Sequence, residues 1–376
     1  MANINDYLQW RGDIPLNKYS KFNEVDDMIL ARFSYLLFDR INLKNKETIE
    51  SISSKMKDFP NDDFRYNGDK NLITNLGNSA RFKDMIVTDF VKNTDKEVEK
   101  QFSAITIHLS DKEMYISYIG TDSTIVGWKE DFNLAFMQNI PAQIEGLKYL
   151  RNVAKKYPNK KIRIGGHSKG GNVAVYSAIS SSIDIQNRII SVSNYDGPGF
   201  NSKIINTYKN TKILNKIITY LPQDSIIGRI LEHEEKCEIV ESVEKGIYQH
   251  DIYSWQVIGN HVIRSNKLTD SSNIVYKTTK DWLSSTTAQQ RQLFFDGIFE
   301  VFYSTSANTF GEISNSLVKN MPILYKTYKE ISEEDRKLIT SMLKNFIKAY
   351  TTNLKQNETE KIKTIEIKNL KSKKTV

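Results

Sequence analysis

The chain has 376 residues, 39% of them hydrophobic, with 53 Lys and Arg against 45 Asp and Glu. That length admits one large domain with an appendage, or two ordinary domains, and a sizeable core in either case. The single cysteine, Cys237, excludes an intrachain disulfide, and no window reaches the roughly 18 apolar residues of a membrane span, since even 292–303 carries Asp296 and Glu300.

The first 30 residues lack the uninterrupted apolar stretch of a signal peptide, so a cytoplasmic location is expected. Residues 24–38, "EVDDMILARFSYLLF", follow Asn23 as an N-cap and place Met28 and Leu36 at helical spacing, which predicts an N-terminal helix. From 102 the pattern changes to short apolar or alternating runs at 102–109, 114–120, 161–166, 188–195, 216–222 and 237–243, each read as a strand. Between the second and third, "PAQIEGLKYLRNVAKKY" sets Ile144, Leu147, Leu150, Ala154 and Tyr157 along one helical stripe, with Pro141 in the first turn. Strands alternating with helices in this way imply a mostly parallel sheet covered on both faces. Beyond 266 the strand signal fades into two long amphipathic helices, the second opened by a Ser332 to Asp335 capping box.

The segment 161–174, "KIRIGGHSKGGNVA", contains Gly166-His167-Ser168-Lys169-Gly170, a G-x-S-x-G match placed where an apolar strand hands over to a helix. That is the setting of a nucleophile elbow, whose sharp turn needs small residues two before and two after the serine, here Gly166 and Gly170. The spacing of a phosphate-binding P-loop is absent. A serine hydroxyl becomes a nucleophile when a histidine takes its proton and a carboxylate orients that histidine, and on this architecture the acid and then the base follow the serine in sequence. Of the histidines after Ser168, His233 sits in a charged run read as a solvated helix face, while His250 in "GIYQHDIYSW" is the favoured base, with His261 next. For the acid, Asp224 in "TYLPQDSIIG" is favoured over Asp196, which ends an earlier strand, and Asp251, which is too near its histidine. An oxyanion hole requires the backbone N–H of Lys169 and a second donor from an earlier strand end, supplied by Gly120 and Thr121.

The ordered set "YIGTDS…GWKEDF", "GGHSKGGNVA", "YDGPGF", "PQDS" and "YQHDIYSW" resembles the class-three lipases and their lipase-like relatives of the α/β-hydrolase fold, over roughly residues 1–260. The N-terminal "DYLQWRGDIPL…FNEVDDMILARFSYL" is similar to a group of bacterial proteins in that superfamily. The resemblance implies Ser168 as nucleophile, Asp224 as acid, His250 as base, Thr121 as oxyanion residue, and a carboxylic ester with an acyl chain as substrate. The same elbow serves thioesters and amides, and a non-catalytic binding or regulatory protein on this fold is the rival reading. Lys169 stands where lipases usually carry leucine, and Ile119 before Gly120 where arginine is usual; "STIVGW", after the oxyanion residue, is short for a lipase lid.

The division expected is a hydrolase domain over 1–265, a helical appendage over 266–350 and a flexible Lys-rich tail over 351–376. The tail holds seven Lys against three Glu, half of the net charge of +8. Weak contact with anionic membranes is expected of it, and nucleic acid is not an expected partner, because the tail lacks Arg and aromatic residues. No cofactor is expected. His233 and Cys237 have helical spacing but no third ligand beside them, so no metal is expected, and Cys237 reads as a small buried residue. Trp128 and Trp255 are candidates to line an acyl pocket or simply to fill the core.

Overall fold

The computed structural model describes residues 2–305, 307–309, 312–313 and 317–372. Its centre is an eight-stranded sheet in sequential order: β1 (Glu47–Thr48), β2 (Ile86–Asp95), β3 (Lys100–His108), β4 (Glu113–Tyr118), β5 (Lys161–His167), β6 (Ile189–Tyr195), β7 (Ile217–Pro222) and β8 (Lys236–Val240). The first four strands pair antiparallel, and β4 through β8 pair parallel. All six strands expected from the sequence are present. The strand Ile86–Asp95 was not anticipated, because its second half is mostly exposed and polar and lacks an apolar alternation.

The parallel connections from β4 to β7 carry helices as the sequence pattern required, and β7 reaches β8 through a short 3-10 turn at Ile227–Arg229. The helices of the first 265 residues are α1 (Ile4–Arg11), α2 (Glu24–Phe33), α3 (Ile49–Met56), α4 (Asp69–Asn78), α5 (Ile125–Asn133), α6 (Pro141–Lys156), α7 (Lys169–Ile179), α8 (Ile183–Arg188) and α9 (Ser202–Tyr208). The Asn23 side chain caps α2 as expected, accepting from the N–H groups of Val25 and Asp26. Alternate strand residues face opposite sides. Ile105, Ile107 and Tyr115 pack with α1 to α4, whereas Ile116, Ile162, Ile164 and Val192 pack with α6, α7 and α9. Both faces of the sheet are therefore buried, as a parallel sheet demands.

Beyond 265 come α10 (Asp270–Ser284), α11 (Ala288–Tyr303), a helix at Leu317–Glu330 and a 40-residue helix at Glu333–Ser372. Asp335 N–H donates to Ser332 Oγ at 3.0 Å, the expected cap. Trp282, Phe294, Phe295, Ile331, Ile339 and Met342 form a small core of their own. The tail expected to be flexible from 351 is helical as far as Ser372, and its last four residues lie outside the described residues. Among the described residues no helix is long and apolar enough to cross a membrane.

Candidate active site

Three neighbouring strands end at the same edge of the sheet. Tyr118 of β4 lies beside Gly166 of β5, and His167 beside Tyr195 of β6, so Thr121, Ser168 and Asp196 all follow closely on adjacent C-terminal strand ends. In open parallel sheets this edge is where ligands bind. Ser168 sits between β5 and α7 with φ 59° and ψ −136°, a backbone region that L residues avoid. A Cβ on Gly166 would stand 2.4 Å from the Gly170 carbonyl carbon, and one on Gly170 would stand 2.3 Å from the Tyr118 carbonyl oxygen. Those two contacts explain the glycines of the elbow.

His250 ends a short 3-10 turn, Gly246–His250, which brings it over the elbow. Its Nδ1 lies 2.7 Å from Asp196 Oδ2. A carboxylate oxygen accepts, so Nδ1 carries the proton and Nε2 is left with a lone pair. The other oxygen, Asp196 Oδ1, accepts from Ser225 Oγ at 2.5 Å and from the Gly228 N–H at 3.2 Å, so the buried carboxylate is satisfied on both sides.

The geometry does not bring Asp224, the acid expected from the sequence, to His250. Asp224 Oδ1 accepts from the hydroxyls of Thr269 and Ser271, and Oδ2 from the Gly246 N–H at 3.0 Å. Burial would raise its pKa, but those donors outweigh it and hold the carboxyl below the usual range. Asp224 thus clamps the start of the turn that carries His250 rather than the imidazole itself. Asp251 accepts from the Tyr253 N–H and caps the next turn. The other histidines do not reach the elbow. His261 is an exposed residue of a two-residue strand, and His233 lies in the loop before β8, not on a helix, between Glu235 Oε1 and the Gly228 carbonyl. Cys237, expected to be buried, is exposed on edge strand β8.

His167 takes a part that its sequence position did not suggest. Its Nε2 lies 2.7 Å from the His250 carbonyl, which can only accept, and the two rings are 4.4 Å apart. Burial, with the neighbouring His250, pushes its pKa well down, so it is a neutral donor fixing the His250 backbone.

The Thr121 hydroxyl donates to Asp131 Oδ2, and the Thr121 carbonyl accepts from Arg65. No acceptor for the N–H groups of Thr121 and Lys169 is found among the described residues, as an oxyanion hole needs. Beside them, burial lifts the Asp131 carboxyl to about 6, against the lowering effect of Lys169 and the Thr121 hydroxyl. The Lys169 ammonium is itself buried, 2.8 Å from Glu130 Oε2 and 2.8 Å from Gln101 Oε1. Glu130 also accepts from the N–H groups of Gln101 and Ala142, which completes the network.

Tyr35, just after α2, is a site residue that the sequence did not single out. Its hydroxyl donates to the His167 carbonyl and accepts from the Gly120 N–H, both at 2.9 Å, tying the end of β5 to the segment after β4. Ser168, His250, Thr121 and Lys169 line one cavity of about 570 Å³, within the usual range of small-molecule sites, whose walls include Trp128, Phe132, Leu134, Ile227, Ile230 and Ile247. Trp255 is instead fully buried in the core, its indole N–H donating to the Gln249 carbonyl at 2.7 Å.

A mostly parallel sheet with a strained serine at the central strand-to-helix turn, an aspartate after the next strand and a histidine on a later loop is the arrangement of a lipase-like α/β-hydrolase fold. More particularly, the chain belongs to the Mbeg1-like family, whose family model matches residues 76–300, well over half of its length. Among solved structures it is similar to the Rhizomucor miehei lipase in its propeptide complex, at 16% identity and a TM-score of 0.31, over 43% of this chain and 58% of that one. It is likewise similar to the Lip2 lipase of Yarrowia lipolytica, at 14% identity and a TM-score of 0.31, over 53% of this chain and 75% of that one. The chain thus spans little more than half the length of the first of these. No curated protein matches it in sequence.

Proposed function

We propose that the protein is a serine hydrolase that cleaves a carboxylic ester bearing an acyl chain, with Ser168 as nucleophile, His250 as base and Asp196 as acid. The observation that carries this reading is the pairing of His250 Nδ1 with the buried Asp196 carboxylate above a serine held at positive φ, in one cavity. A hydrogen-bonding role alone would not require the strained backbone at Ser168, which holds the hydroxyl out of the turn toward the cavity.

In the proposed reaction, His250 Nε2 takes the Ser168 hydroxyl proton as Oγ bonds to the ester carbonyl carbon. The carbonyl oxygen gains negative charge facing the N–H groups of Thr121 and Lys169 at the start of α7, where the helix end also favours an anion. The intermediate collapses, His250 hands its proton to the departing alkoxide, and an acyl-serine remains. Water then repeats the sequence, its proton taken by His250, and releases the acid. Throughout, Asp196 holds the Nδ1–H tautomer and stabilises the imidazolium. The apolar wall formed by Trp128, Phe132, Leu134, Ile227 and Ile230 supports an acyl group as the part of the substrate that is buried.

Covalent labelling by a fluorophosphonate tests the reading without knowledge of the substrate. Wild type is expected to be labelled at Ser168 and Ser168→Ala to remain unlabelled; equal labelling of both would overturn the assignment and favour a binding protein on this fold.

A further inference from the structure

The helix Glu333–Ser372 has an occupied face and an unoccupied one. On the inner side Ile339 and Met342 are buried, Phe346 meets the Trp282 ring, and Asn353 Nδ2 donates to Asp281 at 2.9 Å. Flanking these contacts, Leu343, Ile347, Tyr350 and Leu354 remain between 37% and 60% exposed, and Lys361, further along their row, pairs with Asp270 at 2.7 Å. At about 100° per residue these four fall within about 60° of one another and run about 16 Å along the axis. A second row, Lys344, Lys348 and Lys355, lies on the solvent side of that stripe, and none of the three is ion-paired among the described residues. Between Arg336 and Asn357 the sequence has no acidic residue.

We propose that this face, from Leu343 to Lys355, is a docking surface for an anionic lipid bilayer, on which the helix lies in the plane of the interface. An apolar stripe that enters the acyl boundary, bordered by lysines that reach the headgroups, is the chemistry of an interfacial helix. Charge complementarity selects an anionic surface, because no acidic residue lies between Leu343 and Lys355 to balance its lysines. A second copy of the chain is a poorer occupant. The 4-3-4 spacing would give a seam of about two heptads, ended by Thr340 and Arg336 on one side and Asn357 and Lys361 on the other, shorter than the three to four heptads of a coiled coil. Self-pairing would also bring unbalanced lysine rows together. The surface differs from the tail expected to touch membranes, since most of it precedes residue 351 and it combines charge with apolar side chains.

The test is co-sedimentation of the full-length protein with vesicles of phosphatidylcholine alone or mixed with phosphatidylserine, a readout independent of hydrolysis. Binding to the mixed vesicles is expected, with little to the neutral ones, and it should fall as salt rises from about 0.1 M to about 1 M. Each lysine near an anionic surface strengthens binding roughly five-fold, so Lys344→Gln/Lys348→Gln/Lys355→Gln should weaken it by about a hundred-fold. Ile347→Ser/Leu354→Ser should weaken it by at least about ten-fold. All these side chains are exposed, and unchanged circular dichroism confirms that the variants fold. Absence of binding to mixed vesicles, equal binding to neutral vesicles, or variants that bind like wild type would overturn the proposal. So would a concentration-dependent dimer in light scattering that Ile347→Ser abolishes, which would make a second copy the occupant.

Discussion

Asp196 and Asp224 both follow the ends of adjacent parallel strands, and the sequence reading preferred Asp224 because Asp196 ends the earlier one. The structure separates them by what surrounds each carboxylate: one faces an imidazole, the other a ring of hydroxyls and one N–H. Asp196→Asn is therefore expected to lower ester turnover by about four orders of magnitude with the fold intact. Asp224→Asn should do much less, acting through the turn Gly246–His250. Side-by-side kinetics of the two folded variants decide the matter, and a larger loss at Asp224 would reverse the assignment. One sequence signal did favour Asp196. The "DGPG" that it opens brings the chain back against the elbow, and a Cβ on Gly197 would lie 2.3 Å from the Ser168 carbonyl oxygen. Tyr35 left no comparable mark, because a tyrosine among apolar residues reads as core. Tyr35→Phe removes both a donor and an acceptor from buried backbone groups, at about 1–3 kcal/mol. It is expected to reduce turnover more than substrate affinity, since it loosens the registration of serine against oxyanion donors; unchanged kinetics would limit Tyr35 to packing.

Between elements, charge is buried in two contrasting ways. Lys169 and Glu130 join α7 to α5 through a fully satisfied ion pair, so Lys169→Met strands a buried carboxylate and should cost about 3–5 kcal/mol. Adding Glu130→Gln to that change should recover part of the loss in denaturant unfolding; a double variant less stable than Lys169→Met would show that the carboxylate is held by other means. Under the opposite face of the sheet, Asp27 of α2 accepts from the hydroxyls of Tyr115 at 2.8 Å and Tyr195 at 3.0 Å, and burial lifts its pKa to about 6. In the unfolded chain a carboxyl titrates near 4, so between about pH 4 and 6 the folded protein holds a proton that the unfolded one has released. The stability this group contributes is complete below about pH 4 and lost as pH rises through about 6. Asp27→Asn should therefore gain up to about 3 kcal/mol on wild type between pH 4 and pH 8, and a constant difference across that range would refute the buried titration. Strands and helices of the sheet were legible because their periods are strong. Acids such as Asp26, Asp27 and Glu130 carry no mark of burial in the sequence, since only the folded chain brings their partners alongside.

For the whole molecule, the boundary placed at 265 is crossed by contacts that no local pattern announces. Phe132 packs on Phe295 with ring centroids 4.8 Å apart, Lys129 pairs with Asp296 at 2.6 Å, and Ile125 N–H donates to the Asn308 carbonyl. The helix α5, which follows the oxyanion residue and supplies Glu130 and Asp131 to the site, is thus held down by α11. The sequence separation, 167 residues between Lys129 and Asp296, hides this pairing, although α11 itself was readable from its apolar spacing. A chain ending at Tyr350 keeps these contacts and should be labelled by a fluorophosphonate at the full-length rate. A chain ending at Thr286 should fold its sheet yet label far more slowly; equal labelling of the two would make the appendage irrelevant to the chemistry. Time is the further consequence of that clamp. Ser168, Asp196 and His250 leave the ribosome well before Phe295 and Phe299, and at 5–20 residues per second the 49 residues from His250 to Phe299 take roughly 2 to 10 s. For that interval the nascent chain carries Ser168, Asp196 and His250 with α5 still unfastened, so under the proposed function hydrolysis is expected to begin only once α11 has emerged.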